Sequence, residues 1–191
     1  MLKREGDIRI PAGCAISGVI DRSGKRMSGK CMIDSISTMH DRSNGLGGGF
    51  AGYGIYPDFK DFYALHLFYD NTAAQHETEE FLKRHFEIAY CSAIQTRKVA
   101  SIKDEPVIFR YFVSPLPRKL ESSQLDEEEY VARCVFRVNV EITGAYVFSS
   151  GKNMGVFKGV GYPEDIGRFY RLDEYYGYSW TCHGRYPTNT P

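Results

Sequence analysis

The sequence shows no excess of either charge, because 24 lysines and arginines balance 24 aspartates and glutamates. A protein that binds nucleic acid or an anionic membrane through general electrostatics needs a basic surplus, so both classes are disfavoured. No apolar run approaches the roughly 20 residues that span a bilayer. Residues 1–13 carry charges and a proline where a signal peptide has an apolar stretch. The sequence therefore predicts neither a membrane nor a nucleic-acid partner.

Cysteine is sparse and follows no recognisable pattern. The five cysteines are scattered along the chain, and no two are spaced as a Cys-x-x-Cys pair. The five histidines are equally dispersed and show no His-Glu-x-x-His spacing. This pattern favours neither a disulfide framework nor a zinc site. We expect a protein of the reducing cytoplasm that holds no metal.

The chain is long enough for one domain with an insertion, and its 14% aromatic content argues against disorder. The order of elements favours an α+β fold over a parallel α/β sheet. Periodicity and turn signals predict the elements as follows: strands at 14–20, 97–103, 106–115 and near the carboxyl end; helices at 27–42, 76–90, 126–142 and 163–172; and antiparallel hairpins at 49–70 and 144–160.

Cys14 is the first candidate for chemistry, since it opens the apolar run 14–20. An ordinary thiol, with a pKa of ~8.5, is only a few per cent thiolate at neutral pH and needs a base. Removal of residues 1–13 would give Cys14 a free α-amine with a pKa of ~7.7–8.0, which is well matched to that task. A buried cysteine that serves only as a small hydrophobe is the structural alternative.

The carboxyl-terminal run contains the second candidate, Arg185. An arginine after a strand, followed by small hydroxyl and amide groups, can clamp a carboxylate through two parallel hydrogen bonds. An incidental arginine on a surface loop is the alternative. A catalytic pair formed by Cys182 and His183 is disfavoured, because neighbours on a strand point to opposite faces.

Two further runs have ordinary explanations. The glycine-rich run 44–49 lacks the Lys-Ser/Thr of a phosphate loop and follows a predicted helix, so nucleotide binding there is disfavoured. The acidic run 125–130 is typical of the solvated start of a helix.

Three motifs, taken in order, resemble the class II glutamine amidotransferases, specifically the glutaminase domain of glutamate synthase and its free-standing prokaryotic relatives. That family begins its mature chain with a Cys-Gly-Ile-x-Gly strand, then has an Arg-Gly-x-Asp-Gly-x-Gly turn and a His-x-Arg-Phe-x-Thr-Asn-Thr loop. The matching segments here are CAISGVI (14–20), RSNGLGG (42–48) and HGRYPTNT (183–190). Segments 109–115, 130–134 and 156–170 resemble the family's insertion. Ala15 stands where the family has glycine.

The resemblance implies an N-terminal-nucleophile hydrolase fold, an αββα sandwich. It implies a leader at 1–13, a first glutaminase part at 14–71, an inserted α+β subdomain at 72–176 and a returning strand at 177–191. Cys14 would be the nucleophile, and glutamine the substrate, with no cofactor. Ammonia would pass to a synthase subunit or domain, in an oligomer or multi-subunit complex. The expected substrate-binding residues are Arg185, Thr188 and Asn189, and the expected supporting residues are Arg42, Gly45 and Gly47.

The family continues with an Asn-Gly pair that forms the oxyanion hole and with an acidic residue that holds the substrate α-amine. Neither can be placed in this sequence. Since the loss of one oxyanion donor costs about 10²–10³ in rate, residues 1–191 alone are expected to lack efficient glutaminase activity. Two alternatives stay open: an N-terminal cysteine hydrolase that acts on another amide, and a non-catalytic binding or scaffold subunit of a glutamate-synthase-like complex.

Overall fold

The computed structural model of the chain describes residues 14–43, 45–103 and 106–184. The chain forms two compact units. The first comprises the described residues up to Ala51, the segment Arg97–Ile102 and the described residues from Phe157 onward; the second comprises Gly52–Thr96 and the described residues from Lys103 to Val156. Helices and sheets are mixed in both units, so the predicted α+β class is confirmed.

The strands are β1 (Ile16–Ile20), β2 (Met27–Ser28), β3 (Gly48–Tyr53), β4 (Tyr63–Tyr69), β5 (Phe86–Ala93), β6 (Val107–Pro115), β7 (Ala145–Ser149), β8 (Met154–Gly159), β9 (Tyr176–Gly177) and β10 (Ser179–His183). The α-helices are α1 (Lys30–Ser37), α2 (Thr72–His85), α3 (Pro117–Ser123), α4 (Glu127–Glu141) and α5 (Pro163–Phe169). Short 3₁₀ helices cover His40–Arg42, Pro57–Phe59 and Leu172–Glu174.

The first unit contains the sheet in which β1, β10, β3 and β8 are neighbours in that order. β1 and β10 run antiparallel, with Ile16 opposite His183. On one face of this pair, Trp180 is fully buried and its indole Nε1–H donates to the Met27 carbonyl oxygen at 3.1 Å. Gly167 of α5 lies so close to Ile33 of α1 that an added Cβ would be 2.7 Å from its side chain. These contacts hold the two helices together on this unit.

The strand that follows Cys14 is present, but it is not the buried strand that its apolar sequence predicts. Ile16 is 68% exposed and Ile20 is 65% exposed. β1 lies at the edge of its sheet, and the face that carries these two isoleucines is uncovered by the described residues of the unit. Side-chain composition alone therefore gave the wrong burial.

Apart from the short helix α3, the second unit has a βαββαβ order, with β5, β6, β4 and β7 as successive neighbours in one antiparallel sheet. This is the split βαβ, or ferredoxin-like, arrangement. One face packs against α2 and α4 through a core that includes Leu65, Leu67 and Val138. Both helices begin at side-chain caps, because Asn71 accepts from the Ala74 amide and Asp126 accepts from the Glu129 amide.

His66 of β4 lies on the other face of this sheet and is fully buried. Its Nδ1–H donates to the Val156 carbonyl oxygen at 2.9 Å, and its Nε2 accepts from the Tyr56 hydroxyl at 2.9 Å. Burial lowers the pKa of His66 to about 3, and the nearby Arg110 charge acts in the same direction. The imidazole is therefore neutral in the folded protein across the physiological pH range.

Several predicted elements differ from the observed ones because strand pairing is decided by long-range packing. The two predicted hairpins are absent, because the two strands of each lie in different sheets. β3 and β8 belong to one sheet, whereas β4 and β7 belong to another. The predicted helix 76–90 ends at His85, and the next residues form β5 against β6. The predicted strand 97–103 is irregular, and the Arg97 amide donates instead to the Phe169 carbonyl oxygen.

The boundaries of the two units also differ from the predicted domain limits of 14–71 and 72–176. β4 falls in the second unit because its hydrogen bonds go to β6 and β7. α5 and β9 fall in the first unit, where α5 packs against α1 and β9 pairs with β2. The leader 1–13 lies outside the described residues.

The buried His66 makes the protein sensitive to acid. The unfolded chain binds a proton at His66 near its ordinary pKa of 6.5, whereas the folded chain does so only near 3. Stability from this group is therefore complete above pH ~6.5 and falls as the pH drops towards 3, with a limiting slope of about 1.4 kcal/mol per pH unit. Chemical denaturation at several pH values between 4.5 and 7 (roughly half-unit steps) measures that slope.

His66→Asn keeps a donor near the Val156 carbonyl but cannot ionise, so its unfolding free energy should vary less with pH than that of the native sequence. The control is His76→Asn, which removes an exposed imidazole of α2 in the same unit. Equal pH slopes for the native protein and His66→Asn would contradict the prediction.

Candidate functional site

The residue that follows Cys14 is held by a backbone hydrogen bond. Ala15 is fully buried, and its carbonyl oxygen accepts from the Gly184 amide at 2.8 Å. Cys14 itself is half-buried. The bond extends the pairing of β1 and β10 to the residue that follows Cys14, and Gly184 directly precedes Arg185 in the sequence.

Pro163, the first residue of α5, lies beside this junction. A Cβ added to Gly184 would be 2.7 Å from Pro163 Cγ and 3.4 Å from Ala15 Cβ. A Cβ added to Gly48 would be 2.8 Å from the His183 carbonyl oxygen and 3.2 Å from Pro163 Cβ. The lack of side chains at these glycines allows β3 and the end of β10 to approach the proline this closely.

The predicted supporting residues lie on the connection from the His40–Arg42 helix to β3. Arg42 is exposed, whereas Gly47 is buried. Gly45 has a left-handed backbone with φ of 68°. An added Cβ at Gly45 would lie 3.1 Å from the Tyr162 ring, so this turn packs directly on that ring. We call the segment Gly45–Gly48 the glycine turn.

Three residues that the sequence analysis did not select form a series of contacts that reaches the glycine turn through Tyr162. His40 stacks on Tyr162, with ring centroids 4.1 Å apart, and its Nδ1–H donates to the Glu164 carboxylate. The Glu164 side chain is only 8% exposed, against 49% for His40. A buried glutamate in the first turn of a short helix has no distinctive sequence signal, which explains why the pattern missed it.

Cys182 and His183 do not form a catalytic arrangement. Cys182 is buried, and burial raises the pKa of its thiol, with a smaller contribution from the Glu164 charge. His183 is the next residue of β10 and is half-buried. A thiol in this environment stays protonated and is a poor nucleophile.

The first unit therefore brings together parts of all three sequence motifs. The residue after Cys14, the glycine turn and the end of β10 each make close contacts with one another or with Tyr162 and Pro163. The expected substrate-binding residues Arg185, Thr188 and Asn189 lie outside the described residues, so their roles remain predictions. Arg42, Gly45 and Gly47 lie on the connection that contacts Tyr162.

Within 14–43, 45–103 and 106–184, no three His, Cys, Asp or Glu side chains are arranged to hold a metal ion. No helix in the same part of the chain has both the length and the apolar composition to cross a bilayer. All five cysteines are free thiols.

Comparison with known proteins gives a relative but no function. No model of a known protein family matches the chain. An uncharacterised protein of Archaeoglobus fulgidus is 49% identical over 181 residues, which is 93% of this chain and 48% of the relative. The chain thus spans about half the length of the curated relative that it matches.

We expect Gly45→Ala to destabilise the protein more than Gly24→Ala, its matched control. Both glycines have a positive φ, so each alanine costs about 1–2 kcal/mol of backbone energy. No atom lies within 4 Å of an added Cβ at Gly24, whereas the Tyr162 ring must move at Gly45. Denaturant unfolding of both variants measures the difference. Equal losses of unfolding free energy would show that the contact between Gly45 and Tyr162 contributes nothing to stability.

Proposed function

We propose that the first unit carries the glutaminase site of a class II glutamine amidotransferase, with Cys14 as its nucleophile. One observation supports this proposal above the others. The three motifs lie at 14–20, 42–48 and 183–190, so the last is far from the first two in the sequence. Nevertheless, Ala15, the glycine turn and Gly184 contact one another or the Tyr162–Pro163 segment. We would not expect three segments without a common role to meet at one place in the fold.

The reaction follows from the chemistry of an amino-terminal cysteine. The Cys14 α-amine takes the thiol proton, and the sulfur attacks the side-chain carbonyl carbon of glutamine. The tetrahedral intermediate collapses when the amine returns a proton to the leaving nitrogen, which releases ammonia and leaves a glutamyl thioester. The α-amine then takes a proton from a water molecule as its oxygen adds to the thioester carbonyl carbon. The second tetrahedral intermediate expels the Cys14 sulfur, which regains that proton from the amine, and glutamate is released. Each proton is accounted for without a cofactor.

The substrate would be recognised by its α-carboxylate. Arg185 would form two parallel hydrogen bonds to that group, and Thr188 and Asn189 would add neutral ones. Gly184 is bonded to Ala15, so the residue that begins this loop is already tied to the strand of the nucleophile. Arg42, Gly45 and Gly47 would support the site from the connection into β3.

The acceptor of the ammonia is proposed to be a synthase subunit or domain in the cytoplasm. The A. fulgidus relative is about twice as long as the matched region, so further segments belong to that protein. We propose that such a segment, in the same chain or in another, completes the oxyanion hole.

A binding role without catalysis is the second candidate. One observation favours it: Ile16 and Ile20 expose an apolar strip on the same face of β1. Exposed apolar surface of this kind is typical of interaction sites. Under this alternative, Cys14→Ser would leave every activity of the assembled protein unchanged, whereas the glutaminase proposal requires its loss.

Removal of residues 1–13 is expected to be necessary for glutaminase activity, because a peptide nitrogen cannot serve as the base. Intact-mass measurement of the active protein should give Cys14 as the amino-terminal residue. In that processed form, Cys14→Ser should lower glutamine turnover by about 10⁴-fold or more. A chain that starts at Met1 and shows normal turnover would refute the prediction.

Arg185→Lys tests the carboxylate clamp. Lysine retains the charge but cannot form two parallel bonds, so the KM for glutamine should rise by about tenfold or more while kcat changes far less. Steady-state kinetics of the complete, processed protein measure both constants, with Arg22→Lys, a change at an exposed arginine of the first unit that has no role in the proposed site, as the control for loss of a guanidinium. An unchanged KM in Arg185→Lys would show that this residue does not hold the substrate.

A further inference from the structure

Glu164 is unusual among the acidic residues of the first unit because its side chain is more than nine-tenths buried. Burial of a carboxylate is costly unless its oxygens are satisfied. One oxygen accepts from His40 Nδ1–H, while the other, Oε2, is buried without a hydrogen-bond partner. The adjacent Asp165, by contrast, pairs with Arg168 and accepts from the Ser101 hydroxyl nearer the surface.

The carboxylate is the first member of a series of contacts that ends at the glycine turn. Glu164 fixes the orientation of the His40 imidazole, since Nδ1–H has one acceptor there. The oriented ring stacks on Tyr162 with an interplanar angle of 24°. Tyr162 in turn packs against Gly45, where an added Cβ would lie 3.1 Å from the ring. A change at Glu164 therefore acts on the turn through two intervening rings.

We infer that His40 and Glu164 are positioning residues for the proposed glutaminase site: they hold Tyr162 against Gly45 and thereby fix the glycine turn. This inference rests on the proposed function for its consequence in catalysis. An apolar pair of the same volume would fill the space at lower cost, but it would not set the orientation of an imidazole. The directional bond between His40 and Glu164 supplies that orientation.

In this proposal, His40 and Glu164 take no direct part in making or breaking bonds. The Glu164 carboxylate bonds to His40, whereas the preceding residue, Pro163, is the one that lies beside Gly184 and Ala15. Loss of the pair should loosen the glycine turn and weaken the fit of a glutamine-shaped ligand. It should leave the intrinsic reactivity of the Cys14 thiol unchanged.

Three substitutions separate the parts of this arrangement. His40→Phe keeps an aromatic ring over Tyr162 but removes the hydrogen bond to Glu164. His40→Asn keeps a donor near the Nδ1 position but removes the ring. Glu164→Gln keeps the shape of the side chain but removes its charge. The matched control is Asp34→Asn, which breaks the exposed Lys30–Asp34 pair on α1 of the same unit.

The first readout is native-state hydrogen exchange at the backbone amides of the glycine turn, measured in the complete protein. We expect the exchange rate to rise by about tenfold in each of the three variants, which is the effect of losing ~1.4 kcal/mol of local stability. Asp34→Asn should leave the rate unchanged. Unchanged exchange in variants that remain folded would overturn the inference and leave the pair as a general contributor to stability.

The second readout is the ratio of two labelling rates at Cys14 in the processed protein. An electrophilic glutamine analogue reports the fit of the site, and iodoacetamide reports the thiol alone. The ratio should fall about tenfold in His40→Phe and Glu164→Gln, with the iodoacetamide rate unchanged, equivalent to ~1.4 kcal/mol of lost recognition. An unchanged ratio would contradict positioning, since a purely structural pair does not alter ligand fit in a folded protein.

Tyr162→Leu covers the case in which a change at Glu164 prevents folding. It leaves the buried carboxylate bonded to His40 and removes only the ring under Gly45. Exchange at the turn should rise as in the other variants, and unchanged exchange would overturn the inference. If the native protein reacts no faster with the analogue than with iodoacetamide, the glutaminase proposal fails; exchange at the turn still decides the positioning role by itself.

Discussion

The close approach of glycine backbone to the Tyr162–Pro163 segment is the constraint on which the rest of the candidate site depends. Gly45 and Gly48 belong to the glycine turn and Gly184 follows β10, and each would place an added Cβ within about 3 Å of Tyr162, Pro163 or the β10 backbone. A side chain at any of these positions would force one segment away from the others. The motifs can therefore converge because these three residues have no side chains.

The second unit satisfies its polar groups in a different way. Its buried imidazole is paired on both nitrogens, and its two longer helices start at side-chain caps. The βαββαβ order gives this unit one continuous core between the sheet and the helices. The first unit instead exposes one face of β1, and its proposed chemistry lies at the end of that same strand.

Local signals predicted the elements that depend on neighbours in the sequence. Asp126 followed by three glutamates marks the start of α4, and Pro163 marks the start of α5, as observed. Pairing could not be predicted from the same signals, because β3 and β4 look like two arms of a hairpin although their partners are far away in the sequence. The motifs pointed to Cys14 and the glycine turn, whereas the burial of Glu164 depends on tertiary packing that no periodicity encodes.

The pairing of β1 with β10 sets the order in which the molecule can be assembled during synthesis. The two strands are separated by nearly the whole chain, and the Met27–Trp180 bond closes a comparable distance of 153 residues. The second unit is complete once Val156 has emerged from the ribosome, so it can fold while the first unit still lacks its central strand. Until Trp180 emerges, the apolar residues of β1 and α1 remain without their partner. The nascent chain therefore carries β1 and α1 without the strand that completes their sheet for most of its synthesis.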